Sequence, residues 1–399
     1  MIYKALYDKL KACSIDDNSD NDIVLRLNIQ YTTLFECLNK TYFHSHKVCE
    51  SKQKLHDICD SIIEVIRKVE SGNRSSAFDQ LYELYFGKDN GIYLNICDIK
   101  AGTSFYRMRS ADNYTQYTKN TEDEMYHIPF NKRYLIGNER YSLTGFPTFY
   151  LSPSIYSCWE ECNRCNLDFS NVALFKNTDR LQFLDMVLPK PNSIIYDNTL
   201  LWIPLILASR LKVIHDKGKF VPKYIIPQLL MECVIKSRRD SDSEIIIGTR
   251  YESIHQSERD LIFDNFYKDD LFLNYAIPPF ESSNRGVCKR IKELFEFWAN
   301  TSWAEMQYKD PMVDVTLTKD ELNKYNASRF GVMEKFLGRI SLGMLTYKTK
   351  SKTEFHLEPR LEVYLFRREN LTCQQSVGVL KNNRNQDILN KKNSYTLVI

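Results

Sequence analysis

The sequence predicts an α+β fold preceded by an all-α segment. Three observations carry this. Apolar residues recur at helical spacing through roughly the first 95 positions. Short β-branched and aromatic stretches dominate afterwards. These strands and helices do not alternate in a βαβ rhythm, so a doubly wound parallel sheet is not expected. The glycines agree. There are only 13, and no two are separated by a single residue, so no Gly-x-Gly-x-x-Gly loop exists, nor any Gly-x4-Gly-Lys-Ser/Thr loop. A standard dinucleotide-binding dehydrogenase and a P-loop nucleotidase are both excluded.

The helical segment begins with an apolar-rich run, Ile23 to Leu38. Leu55, Ile58, Cys59, Ile62, Ile63, Ile66 and Val69 follow at steps of three and four, which puts them on one helical face. Phe78 to Phe86 predicts a third helix. Polar breaks at Ser71–Ser76 and Gly87–Gly91 separate the elements. A helical domain over residues 1–95 is expected.

Residues 96–280 change character. Thr103 to Met108 reads as a strand. Thr148 to Ser152 reads as another, after the turn Thr144-Gly145-Phe146-Pro147. Ser154 is placed to cap a helix over Ile155 to Cys165. Phe183–Leu188, Ser193–Tyr196 and Glu244–Tyr251 are further strands. Pro227 suits the first turn of a helix over Gln228–Lys236, where its missing N–H is not needed. In the remaining segment, 281–399, Val287–Ala299 predicts a helix. Met312–Leu317 and Glu362–Phe366 alternate like strands, and Lys381–Lys392 is polar and Asn/Lys-rich. This segment is expected to pack on the middle one.

Hydrophobic residues at 43% supply a core. The 54 basic and 51 acidic residues leave a net charge of +3, which gives no electrostatic case for nucleic acid or membrane as partner. The longest apolar run, Leu200–Ala208, is broken by Pro204 and is too short to span a bilayer. Eleven cysteines show no two Cys-x-x-Cys units at zinc-ribbon spacing, and the mixed, charged N-terminus does not resemble a secretory signal. Reduced thiols in the cytoplasm are the expectation. His44, His46, Cys49, His56 and Cys59 have some metal-like spacing, but Cys59 falls on the apolar helix face, so core and surface roles are preferred. Cys158, Cys162 and Cys165 share a helix face and read as packing residues. Arg250 and His255 match a two-residue ribonuclease pattern, but after a strand rather than on a helix, so the match is treated as chance.

One set of polar residues stands among aromatics in the middle segment. It comprises Tyr106-Arg107, then Arg140-Tyr141-Ser142-Leu143-Thr144-Gly145-Phe146-Pro147, then Phe149-Tyr150-Leu151, Glu160-Glu161, and Gly248-Thr249-Arg250-Tyr251-Glu252-Ser253. In order and spacing over about residues 100–255 these blocks resemble the RES-domain family, named for a spaced Arg, Glu and Ser. Tyr224 to Leu230 looks like its longer members. Two departures stand out. Glu160 and Glu161 are adjacent, and the family's spacing of eleven residues from Tyr150 selects Glu161. Thr249 and Glu252 interrupt a usually more apolar stretch before Ser253.

The resemblance implies an ADP-ribosyltransferase-like mixed β core and cleavage of the nicotinamide–ribose bond of NAD, by phosphorolysis or hydrolysis, in toxins or defence effectors. NAD would be substrate, with no cofactor or metal required. Glu161 would stabilise the oxocarbenium-like state. Arg107 and Arg140 would bind the pyrophosphate. Tyr150 would stack on nicotinamide and bond the ribose, and Ser253 would orient ribose or the incoming phosphate. Transfer of ADP-ribose to a macromolecule stays open, as does a non-enzymatic interaction or sensor role. NAD destruction also calls for control, through the helical segment or a separate inhibitory protein. A homo-oligomer stays open.

Overall fold

The computed structural model describes residues 7, 22–41, 48–88, 91–111, 122–189, 197–213, 220–240, 246–253, 272–309 and 328–341. The architecture is α+β, as the sequence predicts. Its described N-terminal part includes helices α1 (Ile23–Thr41), α2 (Val48–Glu70) and α3 (Arg74–Phe86). The α2 residues spaced by three and four, Leu55 through Ile66, are buried together. Between α2 and α3 the chain turns through Gly72, whose φ of 84° favours glycine. The Asn73 side chain then caps α3 by accepting from the Ser76 N–H.

These helices share one core with α6 (Asp197–Ser209) and α7 (Ile225–Asp240). The apolar run around Pro204 is thus a helix with no polar face, buried throughout from Leu200 to Ala208. Pro204 lacks the N–H that would continue the internal ladder. Phenols from the first helical layer serve this helix: Tyr31 donates to the Pro204 carbonyl (3.1 Å) and Tyr85 to the Leu201 carbonyl (3.2 Å). No helix among the described residues is long and apolar enough to cross a membrane. Helix α7 starts at Ile225, so Pro227 lies in its first turn, as expected.

Among the described residues eight strands form two sheets. The larger has the order β1 (Ile96–Ile99), β5 (Leu181–Met186), β6 (Ile246–Glu252), β7 (Leu273–Ile277), β3 (Phe149–Leu151). Only its β5–β6 pair is parallel. The smaller is antiparallel, in the order β2 (Ser104–Arg109), β4 (Asn171–Asn177), β8 (Phe295–Thr301). A bridge joins the sheets: Tyr106 and Ser152 exchange both backbone hydrogen bonds, at 2.7 and 2.9 Å. Edge-to-face rings of Phe105, Phe149, Phe175, Tyr275 and Phe295 fill the space between them.

One expectation is corrected. The helix predicted over Val287–Ala299 stops at α8 (Lys289–Leu294), and Phe295 onward is strand β8. The stretch Phe295-Glu296-Phe297-Trp298 fits either period. Pairing to the free edge of β4 decides it, with Phe297 packed on Phe175 and Trp298 under Lys176. Helices α9 (Trp303–Lys309) and α10 (Arg329–Ser341) follow. Phe330 of α10 packs on Tyr156 and Trp159. The stretches 193–196, 312–317, 362–366 and 381–392 lie outside the described residues.

Candidate active site

A short helix, α4 (Glu122–Met125), lies between β2 and β3. Helix α5 (Ile155–Glu161) starts where Ser154 predicts: the Ser154 hydroxyl accepts from the Ser157 N–H at 3.1 Å. It ends four residues sooner than the expected Cys165. Asn163 adopts φ 54°, its N–H bonds to the Glu160 carbonyl, and the Arg164 N–H reaches the Trp159 carbonyl. This is a Schellman stop, with asparagine in the left-handed position that glycine usually takes. The last helical residue is therefore Glu161.

The stop separates the two adjacent glutamates. Glu160 is buried and held at two points by Arg164 (2.9 and 2.6 Å), whose guanidinium lies over Trp159. Glu161 is exposed, yet its Oε1 accepts from the Ser253 hydroxyl (2.6 Å) and from the Asn274 amide (2.7 Å). The Asn274 Oδ1 in turn accepts from the buried Ser157 hydroxyl at 3.4 Å. Sheet register brings these groups together. Tyr251 lies opposite Asn274 on β7, and Ser253 follows at the end of β6, its N–H on the Phe272 carbonyl.

Arg107 and Tyr150 come in from the other side, through the bridge between the sheets. The Arg107 Nη1 donates to the Tyr150 carbonyl at 2.9 Å, and its guanidinium lies over Phe149. Its Nε is buried with no acceptor, and among the described residues no carboxylate pairs with it. Burial, then the like charge of Arg109 two residues along the strand, pushes the Arg107 pKa down to about 10. The Tyr150 hydroxyl is 2.6 Å from the Ser142 hydroxyl. Burial raises its pKa, with Glu139 and Glu161 adding to the rise and Ser142 opposing it. Burial raises Tyr251 too, and the charge of Glu161 is its next cause. Both phenols therefore stay neutral beside Glu161.

Arg140 has different partners from Arg107. It is buried, stacks on Tyr224, and donates Nη1 to the Ser209 carbonyl and Nη2 to the Leu211 carbonyl, both at 2.8 Å. It closes the C-terminal end of α6. Four of the five expected residues, Glu161, Ser253, Arg107 and Tyr150, thus gather where β2, β3, β6 and α5 meet.

Sequence reasoning missed Asn274, Ser142 and Gln228. The Gln228 amide holds the 138–142 loop through Asn138, Glu139 and Ser142. The signal for Asn274 was available: an asparagine inside the apolar run Phe272–Ile277 must find partners.

The other polar sets do not join this constellation. Cys158, Cys162 and Cys165 are free thiols against β2, and burial pushes the Cys158 thiol up. Arg250 is paired with Asp185 at 2.6 and 3.0 Å, and His255 lies outside the described residues. The His56 ring stacks on Phe35, Cys59 is core, and His44 and His46 lie outside the described residues. Among the described residues no three His, Cys, Asp or Glu side chains are grouped to hold a metal.

No family model matches the chain, and no solved structure matches it. Among curated proteins it is similar to "Putative toxin YopC" of Bacillus subtilis (strain 168), 29% identical over 281 residues, which cover 65% of this chain and 60% of that protein, so the chain spans about three fifths of its relative's length.

Proposed function

We propose that the chain is a toxin-type enzyme that cleaves the nicotinamide–ribose bond of NAD. The observation that carries this reading is Glu161: a solvent-facing carboxylate whose Oε1 is pinned by Ser253 and Asn274, while its neighbour Glu160 is neutralised by Arg164. Bond cleavage develops positive charge on the ribose. A carboxylate already oriented stabilises that charge without reorganising as it forms. Nicotinamide leaves as a neutral pyridine, so no general acid is needed for departure.

Arg107 supports the same reading. A largely desolvated arginine with no carboxylate partner among the described residues, beside Arg109, is suited to an anion such as the NAD pyrophosphate. The neutral Tyr150 phenol can donate to a ribose hydroxyl and offers its face to the nicotinamide ring. Arg140 takes a positioning role: it fixes the end of α6 beside the loop that carries Ser142 and Tyr141. The name of the relative agrees with a protein that depletes a cellular metabolite. The ADP-ribosyltransferase-like core belongs to this proposal as well.

The test is nicotinamide release from NAD by the purified chain, with and without inorganic phosphate. Phosphate-dependent release yields ADP-ribose 1″-phosphate and identifies a phosphorylase; phosphate-independent release yields ADP-ribose and identifies a hydrolase. Glu161→Gln is expected to lower either rate at least about 100-fold. Full activity in Glu161→Gln would remove the residue from the chemistry. No release in either buffer would remove free NAD breakdown, and labelled ADP-ribose in a macromolecule would then identify a transferase.

A further inference from the structure

The turn after Glu161 carries chemistry that the NAD reading does not use. Cys162 caps α5, and Cys165 follows three residues later. The two residues between them, Asn163 and Arg164, have φ values of 54° and 56°. Two consecutive left-handed residues are the centre of a type I′-like turn, which brings the flanking Cα atoms within about 7 Å. Disulfides span Cα separations of about 4.4–6.8 Å.

The side chains converge as well. The Cys162 Sγ lies 3.9 Å from the Met108 carbonyl oxygen, and the Cys165 Sγ lies 3.4 Å from the Met108 Sδ, so both thiols rest on one residue of β2. The Cys162 thiol is hydrogen-bonded to Cys165, and that bond, ahead of burial, keeps it protonated. Both cysteines are partly exposed. Cys158, one helical turn earlier, is different: it is buried, and its thiol points to the Tyr106 carbonyl at 3.3 Å.

We propose that Cys162 and Cys165 are a dithiol site that closes to an intramolecular disulfide when it meets a small-molecule disulfide. The thiolate of one cysteine attacks a sulfur of the oxidant and expels one thiol. The second cysteine, as thiolate, attacks the mixed disulfide and expels the other. One S–S bond forms in the protein and one breaks in the oxidant. The two cysteines lose two protons and two electrons, and two small thiols carry them away. Arg164 is paired with Glu160, so it does not activate the attacking sulfur, and the thiolate fraction sets the rate. The reaction is slow at pH 7 and accelerates about tenfold per pH unit below the thiol pKa. The site lies on the turn that ends the helix of Glu161, and it requires no assumption about NAD.

The experiment uses the full chain, reduced and desalted, then incubated with hydroxyethyl disulfide at pH 7 and at pH 8.5. Remaining thiols are alkylated, and intact mass and peptide maps are read. The expected result is loss of two alkylatable thiols, a cross-link mapped between Cys162 and Cys165, and faster closure at pH 8.5. Cys162→Ser and Cys165→Ser should each stop at a hydroxyethyl adduct on the remaining cysteine. Persisting alkylation of both residues in the wild-type chain would overturn the proposal. So would a cross-link mapped to Cys158 instead. The wild-type map decides even if a serine variant folds poorly.

Discussion

At the residue scale, the division of labour between two adjacent glutamates is the informative feature. Glu160→Gln breaks the two-point pair to Arg164 but leaves Glu161 in place. It is expected to lower thermal stability while keeping nicotinamide release within a few-fold of the parent. Asn274→Asp is the sharper probe. It replaces the donor at 2.7 Å from Glu161 with a second carboxylate and so turns an attraction into a repulsion. The expected outcome is a fall in kcat of about 10–100-fold with little change in KM, read from initial rates of nicotinamide release. Parent-like kcat would show that Ser253 alone positions Glu161. The choice between the glutamates was legible only as a spacing from Tyr150. Nothing local distinguishes two acids in sequence; the Schellman stop and the strand ends facing it do.

At the element scale, the helix stop and the close approach of two strands shape the site. Asn163 terminates α5 because a short polar side chain tolerates the left-handed conformation. The periodicity of Cys158, Cys162 and Cys165 looked helical because it ignores that one residue. Gly248 sits on β6, where a Cβ would come 2.2 Å from the Ala276 carbonyl oxygen of β7. That oxygen belongs to backbone and cannot rotate away. Gly248→Ala is therefore expected to destabilise the fold by about 1–3 kcal/mol, read as a lower denaturation midpoint, and to loosen the register that sets Ser253 against Asn274. Unchanged stability would mean that the two strands can separate at that point without cost. At β8 likewise, an aromatic stretch compatible with both periods becomes a strand because an open sheet edge offers hydrogen bonds.

At the scale of the whole molecule, the core that joins the two sheets contains a buried histidine. His127 has its Nδ1 at 2.8 Å from the Ile128 carbonyl, and its Nε2 accepts from the Cys288 N–H at 2.8 Å. That pattern needs the neutral ring, and burial pushes the pKa from 6.5 down to about 4. The unfolded chain then binds a proton that the folded chain does not, for pH values between 6.5 and 4. Stability from this group is complete above pH 6.5 and is lost as pH falls through that window, at up to about 1.4 kcal/mol per pH unit. Denaturant titrations from pH 7 to 4.5 should show the decline, and His127→Gln should flatten it. An equal slope in the variant would assign the loss to other groups.

The sequence by itself determined the helical opening, the α+β class and the exclusion of glycine-loop nucleotide folds. Those features depend on composition and on local periodicity, which one chain displays directly. Only the tertiary structure decided that Leu200–Ala208 is a buried helix served by Tyr31 and Tyr85, that Phe295 begins a strand, that Arg140 closes a helix while Arg107 stays without a carboxylate among the described residues, and that Asn274 holds Glu161. Each of those depends on partners 40 or more residues away in the chain, and a hydrogen bond between distant strands leaves no periodic trace in the sequence of either one.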